Sequence, residues 1–307
     1  MPPSDAGFFS SAKHLRLGLG PALASGSVAG YPIDLRVKAT SYALPATDGG
    51  DYVALAQYGL GCFERHLAGD GERWLEAAAN AGHFLLERQR PDGSWLNTRP
   101  MRHTFPLKAP WRCGMAHGQA ASLLVRLYQS SGDERYAEAA RRGLVALSRP
   151  SGEGGVRATL DGQPWPEEYP TAPPSFVLNG AIFAWWGVHD VAVGLDDDHA
   201  HEAFRQGVTS LLANLHRFDT GSWSLYSLYP HPFAGVASSF YHALHISQLE
   251  AMNVLAPAPE LLRMRERWLA YERSPALRAK AFARKALFRI VVPRNRLLGE
   301  RLPWTRP

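Results

Sequence analysis

The sequence predicts an all-α fold, an α/α toroid (barrel) of about four helical hairpins with long loops on one rim. Three observations lead there. A two-segment helical unit recurs, with 61 residues from Gly93 to Gly154 and 67 from Gly154 to Gly221. The first segment of each unit carries small residues on nearly every face, and short acidic turns alternate with long polar loops. A period this long marks stacked supersecondary units.

The first 30 residues are rich in Gly, Ser, Pro and Ala, and 1–51 read as a partly ordered extension. Lys13 and Arg16 ahead of Leu17–Gly30 imitate a signal peptide, but Gly18, Gly20, Pro21 and Ser25 interrupt its apolar core, so cleavage is not expected.

The barrel is expected over 52–272. Its first unit runs Val53–Leu67, turns at Gly69-Asp70, continues through Arg73–Gln89 and ends in Asp92-Gly93-Ser94-Trp95. The second runs Met115–Tyr128, turns at Gly132-Asp133 and continues through Tyr136–Leu147. The third runs Val177–Val193, turns at Asp196-Asp197 and continues through Ala200–Leu215, and a fourth spans Phe240 to Tyr271. Residues such as Ala56, Gly59, Gly118, Ala121, Gly180 and Gly187 imply close packing on all sides, hence inner helices. Arg73, Glu76, Arg141 and Glu202 mark the second helices as an outer layer. The long loops Asp92–Pro110, Glu153–Ser175 and Asp219–Ser239 all lead from an outer helix to the next inner one, so they share one rim. Loops of that length in a compact domain usually carry function. The N-termini of the inner helices point the same way and favour anionic ligands.

Residues 273–307 hold ten Lys/Arg against Glu300 alone, a charge of +9, which leaves the rest of the chain at −4 out of the total of +5. A mildly acidic body does not read as a nucleic-acid binder. Within the tail, 275–292 read as a helix opened by Pro275 and stopped by Pro293, with Leu277, Ala281, Phe282, Phe288 and Val292 on an apolar side. Solvated packing on the barrel, attraction to an anionic polymer and peripheral attachment to an anionic membrane are all open to it. No apolar run is long enough to span a bilayer, and Cys62 and Cys113 alone make no disulfide framework, so a cytoplasmic protein, peripheral at most to a membrane, is expected.

The long-loop rim gathers Glu167, Glu168, Tyr169, Tyr226, Tyr229, Tyr241, His242 and His245. Aromatic faces with hydroxyl and carboxylate groups describe a sugar cleft. His242 and His245 have no clear third ligand, so neither a metal nor another cofactor is expected. A serine nucleophile elbow is missing, whereas a two-carboxylate glycosidase stays open.

The stretches Met115-Ala116-His117-Gly118-Gln119, Glu167-Glu168-Tyr169-Pro170-Thr171, Ser175-Phe176-Val177-Leu178-Asn179-Gly180, Asp219-Thr220-Gly221-Ser222-Trp223-Ser224-Leu225-Tyr226 and Phe240-Tyr241-His242-Ala243-Leu244-His245 occur here in one order. In these the chain resembles the C-terminal catalytic domain of D-glucuronyl C5-epimerases, which convert glucuronate to iduronate within heparan-type polysaccharides. The resemblance implies an α/α barrel, an anionic uronate-containing polysaccharide as partner and a homodimer as a consistent assembly. It puts the catalytic glutamate and its adjoining tyrosine on Glu168 and Tyr169, and further active-site tyrosines on Tyr226 and Tyr241. Where the family has an arginine three residues past the first of these, this chain has Tyr229; His117 and Cys113 stand for the usual Gln and Ser. Gln119, Asn179, Trp223 and Tyr229 join the substrate-binding candidates, and Arg112, His117, His242 and His245 are candidates for positive charge at the substrate carboxylate. Inversion at C5 needs two proton-transfer groups on opposite ring faces, and Glu168 and Tyr241 come from different segments. A polysaccharide lyase shares the first proton abstraction, and a catalytically altered uronan-binding protein is the alternative raised by Tyr229.

Overall fold

Residues 28, 30–41, 51–101 and 104–293 are described by the computed structural model. The signal-like stretch around Lys13 and Arg16 and the last four arginines of the tail lie outside the described residues. The helices are α1 Lys38–Ser41, α2 Tyr52–Leu67, α3 Arg73–Arg88, α4 Gly114–Ser131, α5 Glu134–Ser148, α6 Leu178–Gly194, α7 Asp198–Asn214, α8 Ser239–Leu255, α9 Pro259–Arg273 and α10 Pro275–Val291.

The hairpins α2/α3, α4/α5, α6/α7 and α8/α9 follow the repeat in the sequence. Each short turn ends one helix and starts the next. Gly132 closes α4 in the left-handed conformation, and Asp133 and Asp197 cap α5 and α7 by accepting from the N–H groups of Arg135 and Ala200. Helices α2, α4, α6 and α8 contact one another in that order and form the inner layer of an α/α toroid. Burial follows the layers: Leu178 through Ala192 of α6 is buried without a gap, whereas α5 buries only the stripe from Tyr136 to Ala146. The small residues set the spacing. A Cβ on Gly187 would lie 2.1 Å from the carbonyl oxygen of Gly118 on the facing helix α4. Gly187→Ala is therefore expected to force α4 and α6 apart and to destabilise the chain by about 1–3 kcal/mol, the usual cost of overpacking. An unchanged urea midpoint would show that this contact does not set the spacing.

Three local features depart from the plain helical reading or add to it. First, the second long loop folds into an antiparallel hairpin, β1 Arg157–Leu160 and β2 Gln163–Pro166, joined at Asp161-Gly162. Both turn residues have positive φ, 47° and 78°, as a two-residue turn of the mirror-image type requires. Second, Tyr31, Ile33 and Leu35 are fully buried. The segment carrying them lies against the C-terminal halves of α2 and α4, opposite the long loops. There Glu64 accepts from the N–H groups of Tyr31 and Leu35, and Arg126 donates to the carbonyl of Gly30. Third, α10 packs on α8 and α9 through Ala281 and Phe288, while Phe282 is 75% exposed. The expected single apolar side with both phenylalanines does not form, because six helical positions place them about 120° apart around the axis.

Candidate active site

Two adjacent glutamates follow β2 and do different things. Glu167 is tied into the loop: its N–H donates to Val156, its carbonyl accepts from Gly114, and its carboxylate accepts from the N–H groups of Ser175 (2.6 Å) and Phe176 (2.8 Å) and from the Ser175 hydroxyl. Phe176 sits at a positive φ of 46°, a conformation that this carboxylate clamp stabilises. Glu168 is pressed against the first turn of α6, where a Cβ on Gly180 would come within 2.4 Å of its Oε2. Only glycine leaves room for it. Tyr169 hydrogen-bonds to the Glu168 carboxylate, yet Oε2 is buried without a hydrogen-bond partner among the described residues. Burial pushes Glu168 up to about 7, the bond from Tyr169 opposes this, and the neighbouring Glu167 charge adds to it.

The phenols converge beside it. A cavity of about 110 Å³ is lined by Tyr169 from the second long loop, Tyr226 from the third, Tyr241 from the first turn of α8, and Phe105 and Thr104 from the first. Phe105 stacks on Tyr169 with ring centroids 4.8 Å apart, and Tyr226 meets Tyr241 edge to face at 4.7 Å. Ser238 caps α8 by accepting from the Tyr241 N–H, and the Tyr226 carbonyl accepts from the Leu178 N–H that opens α6. Burial first, and then the Glu168 charge, hold the Tyr169 and Tyr226 phenols well above their ordinary value, so both are neutral hydrogen-bond donors near pH 7.

Among the lining residues that the sequence reading missed are two cations, Lys285 and Arg289 of α10. Lys285 Nζ donates to the Val236 carbonyl at 2.6 Å and lies 5.9 Å from the Tyr226 ring centre, and Arg289 donates to Thr104 Oγ1 at 3.0 Å. The signal for them was present, as two cations four residues apart flanking Phe288. A larger cavity, about 380 Å³, lies between α5 and α7 among side chains such as Leu144, Trp185 and Val188. It carries no paired carboxylate and phenol.

The candidates for positive charge are placed elsewhere. His117 is fully buried, accepts from the Trp95 N–H and bonds the Cys113 carbonyl through Nδ1. His242 and His245 are fully buried and share the Ser224 hydroxyl, and His242 stacks on Trp223 at 3.8 Å. Burial lowers His117 and His242 to about 4 and His245 well below its ordinary value, so all three are neutral and cannot serve as cations. Arg112 is engaged with Asp92 at 2.7 Å. Trp223 is 1% exposed and donates to Ala237, so it shapes the loop from within. Gln119 is fully buried against Gln57. Asn179 adjoins Gly180 in the first turn of α6 with its Oδ1 buried and unpartnered among the described residues, and Tyr229 stands edge-on to Phe105.

These shifts set a pH profile for stability. Burial raises Glu64 to about 8 and Glu167 and Glu168 to about 7, so between about pH 4.5 and 8 the folded state keeps protons that the unfolded chain has lost. The contribution of these glutamates to stability falls as pH rises through that range. His117, His231 and His242 are lowered to about 4, so below about pH 6.5 the unfolded chain takes up protons that the folded chain refuses, and stability falls there too. Thermal midpoints are expected to peak near about pH 6 and to decline on both sides, at up to about 1.4 kcal/mol per pH unit for each group titrating out of step. A flat profile would show that these groups titrate as in an unfolded chain.

Comparison with known proteins bears on the same segments. The D-glucuronyl C5-epimerase C-terminus family matches residues 92–270. The chain is 31% identical over 219 residues to a D-glucuronyl C5-epimerase of Caenorhabditis elegans, covering 65% of this chain and 35% of that protein. It is 27% identical over 194 residues to an uncharacterised protein of Methanocaldococcus jannaschii, covering 59% of this chain and 62% of that one. Among solved structures, the unsaturated glucuronyl hydrolase of Bacillus sp. GL1 aligns with a TM-score of 0.47 at 16% identity, over 75% of this chain and 62% of that one. The chain thus spans about a third of the length of its nematode relative and about three-fifths of the archaeal one. With the family match running from the first long loop through the tyrosine cleft to the end of the fourth hairpin, the chain belongs to the D-glucuronyl C5-epimerase family, as a member carrying that family's C-terminal region.

Proposed function

We propose that this chain epimerises C5 of a uronate within an anionic polysaccharide, of the glucuronate-to-iduronate type, with Glu168 and Tyr241 as the proton-transfer pair. The observation that carries the reading is Glu168 itself, a buried carboxylate near pKa 7 with one oxygen unpartnered among the described residues, next to a cleft lined by three phenols. Such a group is poised to take a weakly acidic carbon proton at neutral pH. The C5 proton passes to a Glu168 oxygen while the bonding pair spreads onto the uronate carboxylate as an enolate. The Tyr241 hydroxyl then returns a proton to the opposite face of C5, and solvent resets the phenolate and the protonated carboxyl group. Tyr169 holds Glu168, Tyr226 bonds Tyr169, and both neutral phenols donate to the sugar.

A lyase would share the abstraction and then expel the C4 oxygen, for which a neutral phenol is a suitable acid. Incubation of uronate polymers with the protein in deuterated water separates the two. An epimerase leaves deuterium at C5 with inverted residues and intact chains, whereas a lyase generates ultraviolet absorbance and new chain ends. Absence of both products across glucuronate- and iduronate-containing polymers sinks the catalytic reading and leaves a uronan-binding protein.

A further inference from the structure

We propose that the substrate's carboxylate is received by α10, with Lys285 and Arg289 forming an anion subsite at the mouth of the tyrosine cleft. This rests on the uronate reading above and names the group that reading lacks. Enolate formation drives charge onto the uronate carboxylate, and preorganised cations at that point are what make the carbanion accessible. The cations expected from the sequence do not supply it, since the three buried histidines are neutral and Arg112 is engaged with Asp92.

The geometry of α10 does. Ser274 caps the helix, Ala281 and Phe288 are buried against the barrel, and Lys285 and Arg289, one turn apart, line the same cavity as Tyr169, Tyr226 and Tyr241. Both side chains are held by partners, Lys285 on Val236 and Arg289 on Thr104, so the helix spans the third and first long loops over the cleft. A lysine carries three donors and an arginine five, so one such side chain can hold a loop and still present a donor to the cavity it lines. Their field reaches further: after burial, Arg289 and Lys285 are what lower the neighbouring His231. Because α10 begins at Pro275, the subsite lies past the residues 92–270 that the family match covers.

The test uses the full chain with Lys285→Gln and Arg289→Gln, with Lys285→Arg as the conservative variant and the exposed Lys280→Gln as a control on total helix charge. Two readouts are taken: C5 deuterium incorporation into a uronan, resolved into kcat and KM, and binding of that uronan relative to its carboxyl-reduced form. Each Gln variant is expected to lower kcat about 10²-fold and to erase the preference for the carboxylated polymer. Lys285→Arg should retain most of both, and Lys280→Gln should change neither. Thermal unfolding must stay at the wild-type midpoint, which separates loss of the subsite from loss of the helix. Wild-type kcat and wild-type preference in both Gln variants would overturn the subsite while leaving the epimerase reading standing. If the wild type incorporates no deuterium yet loses its preference for carboxylated polymer in the variants, the subsite stands and the epimerase reading falls.

Discussion

Glu168→Gln is expected to slow deuterium incorporation at C5 by about 10²–10⁴-fold without unfolding the chain, the range a positioned general base contributes. Glutamine keeps the shape that fits against Gly180 and still accepts the bond from Tyr169, but it cannot take a proton. Glu167, equally raised, is not the base, because Ser175 and Phe176 already occupy its oxygens and it holds the loop. Tyr241→Phe should stop inversion to a similar degree. Inversion is the stricter readout for that variant, since Glu168 alone can remove and return a proton on one face and leave label without inverted product. In the wild type, kcat/KM should rise as pH passes through about 7, where Glu168 loses its proton. Near-normal inversion by both variants would eliminate the pair.

The repeat, the layers and the tyrosine cluster were legible because each is local or periodic. Gly132, Asp133 and Asp197 punctuate the hairpins where a helix must end or begin, and the glycines of α4 and α6 announce a close crossing. The β-hairpin was not read from helical periodicity because its strands are four residues long and contain Pro164 and Pro166. Asp161-Gly162 was its one sequence signal. The burial of Tyr31, Ile33 and Leu35 depends on Glu64 and Arg126, distant in sequence, and so could not be seen locally. The misplaced cations teach the same lesson. Histidines beside a cluster of candidate tyrosines look like site residues until packing shows them buried and neutral, and a terminal basic helix looks solvated until its docking turns two of its charges inward.

Arg126→Met should be the most damaging single change to stability, at about 3–5 kcal/mol, or roughly 5–15 °C in the thermal midpoint. Arg126 and Asp190 pair at 2.6 Å with side chains 1% and 3% exposed, so neither charge has access to water. Burial alone would raise Asp190, but the guanidinium first, with His189 beside it at 3.7 Å, overrides this and holds the carboxyl below its ordinary value. Methionine fills much of the volume yet leaves that carboxylate without its counterion, and removing one partner of a buried pair costs far more than the pair contributes. The same substitution frees the carbonyl of Gly30, which Arg126 also satisfies, whereas the Ser122 carbonyl keeps its bond within α4. Asp190→Leu added to Arg126→Met should recover part of the loss and not all of it, because the charge penalty vanishes while the Gly30 carbonyl stays unpaired. Full recovery would assign the whole effect to the charge, and a single-variant loss below about 1 kcal/mol would place both groups in contact with water. The pair lies on the rim opposite the cleft, so the surviving folded fraction of Arg126→Met should exchange C5 hydrogen at the wild-type rate, which separates this role from that of Glu168.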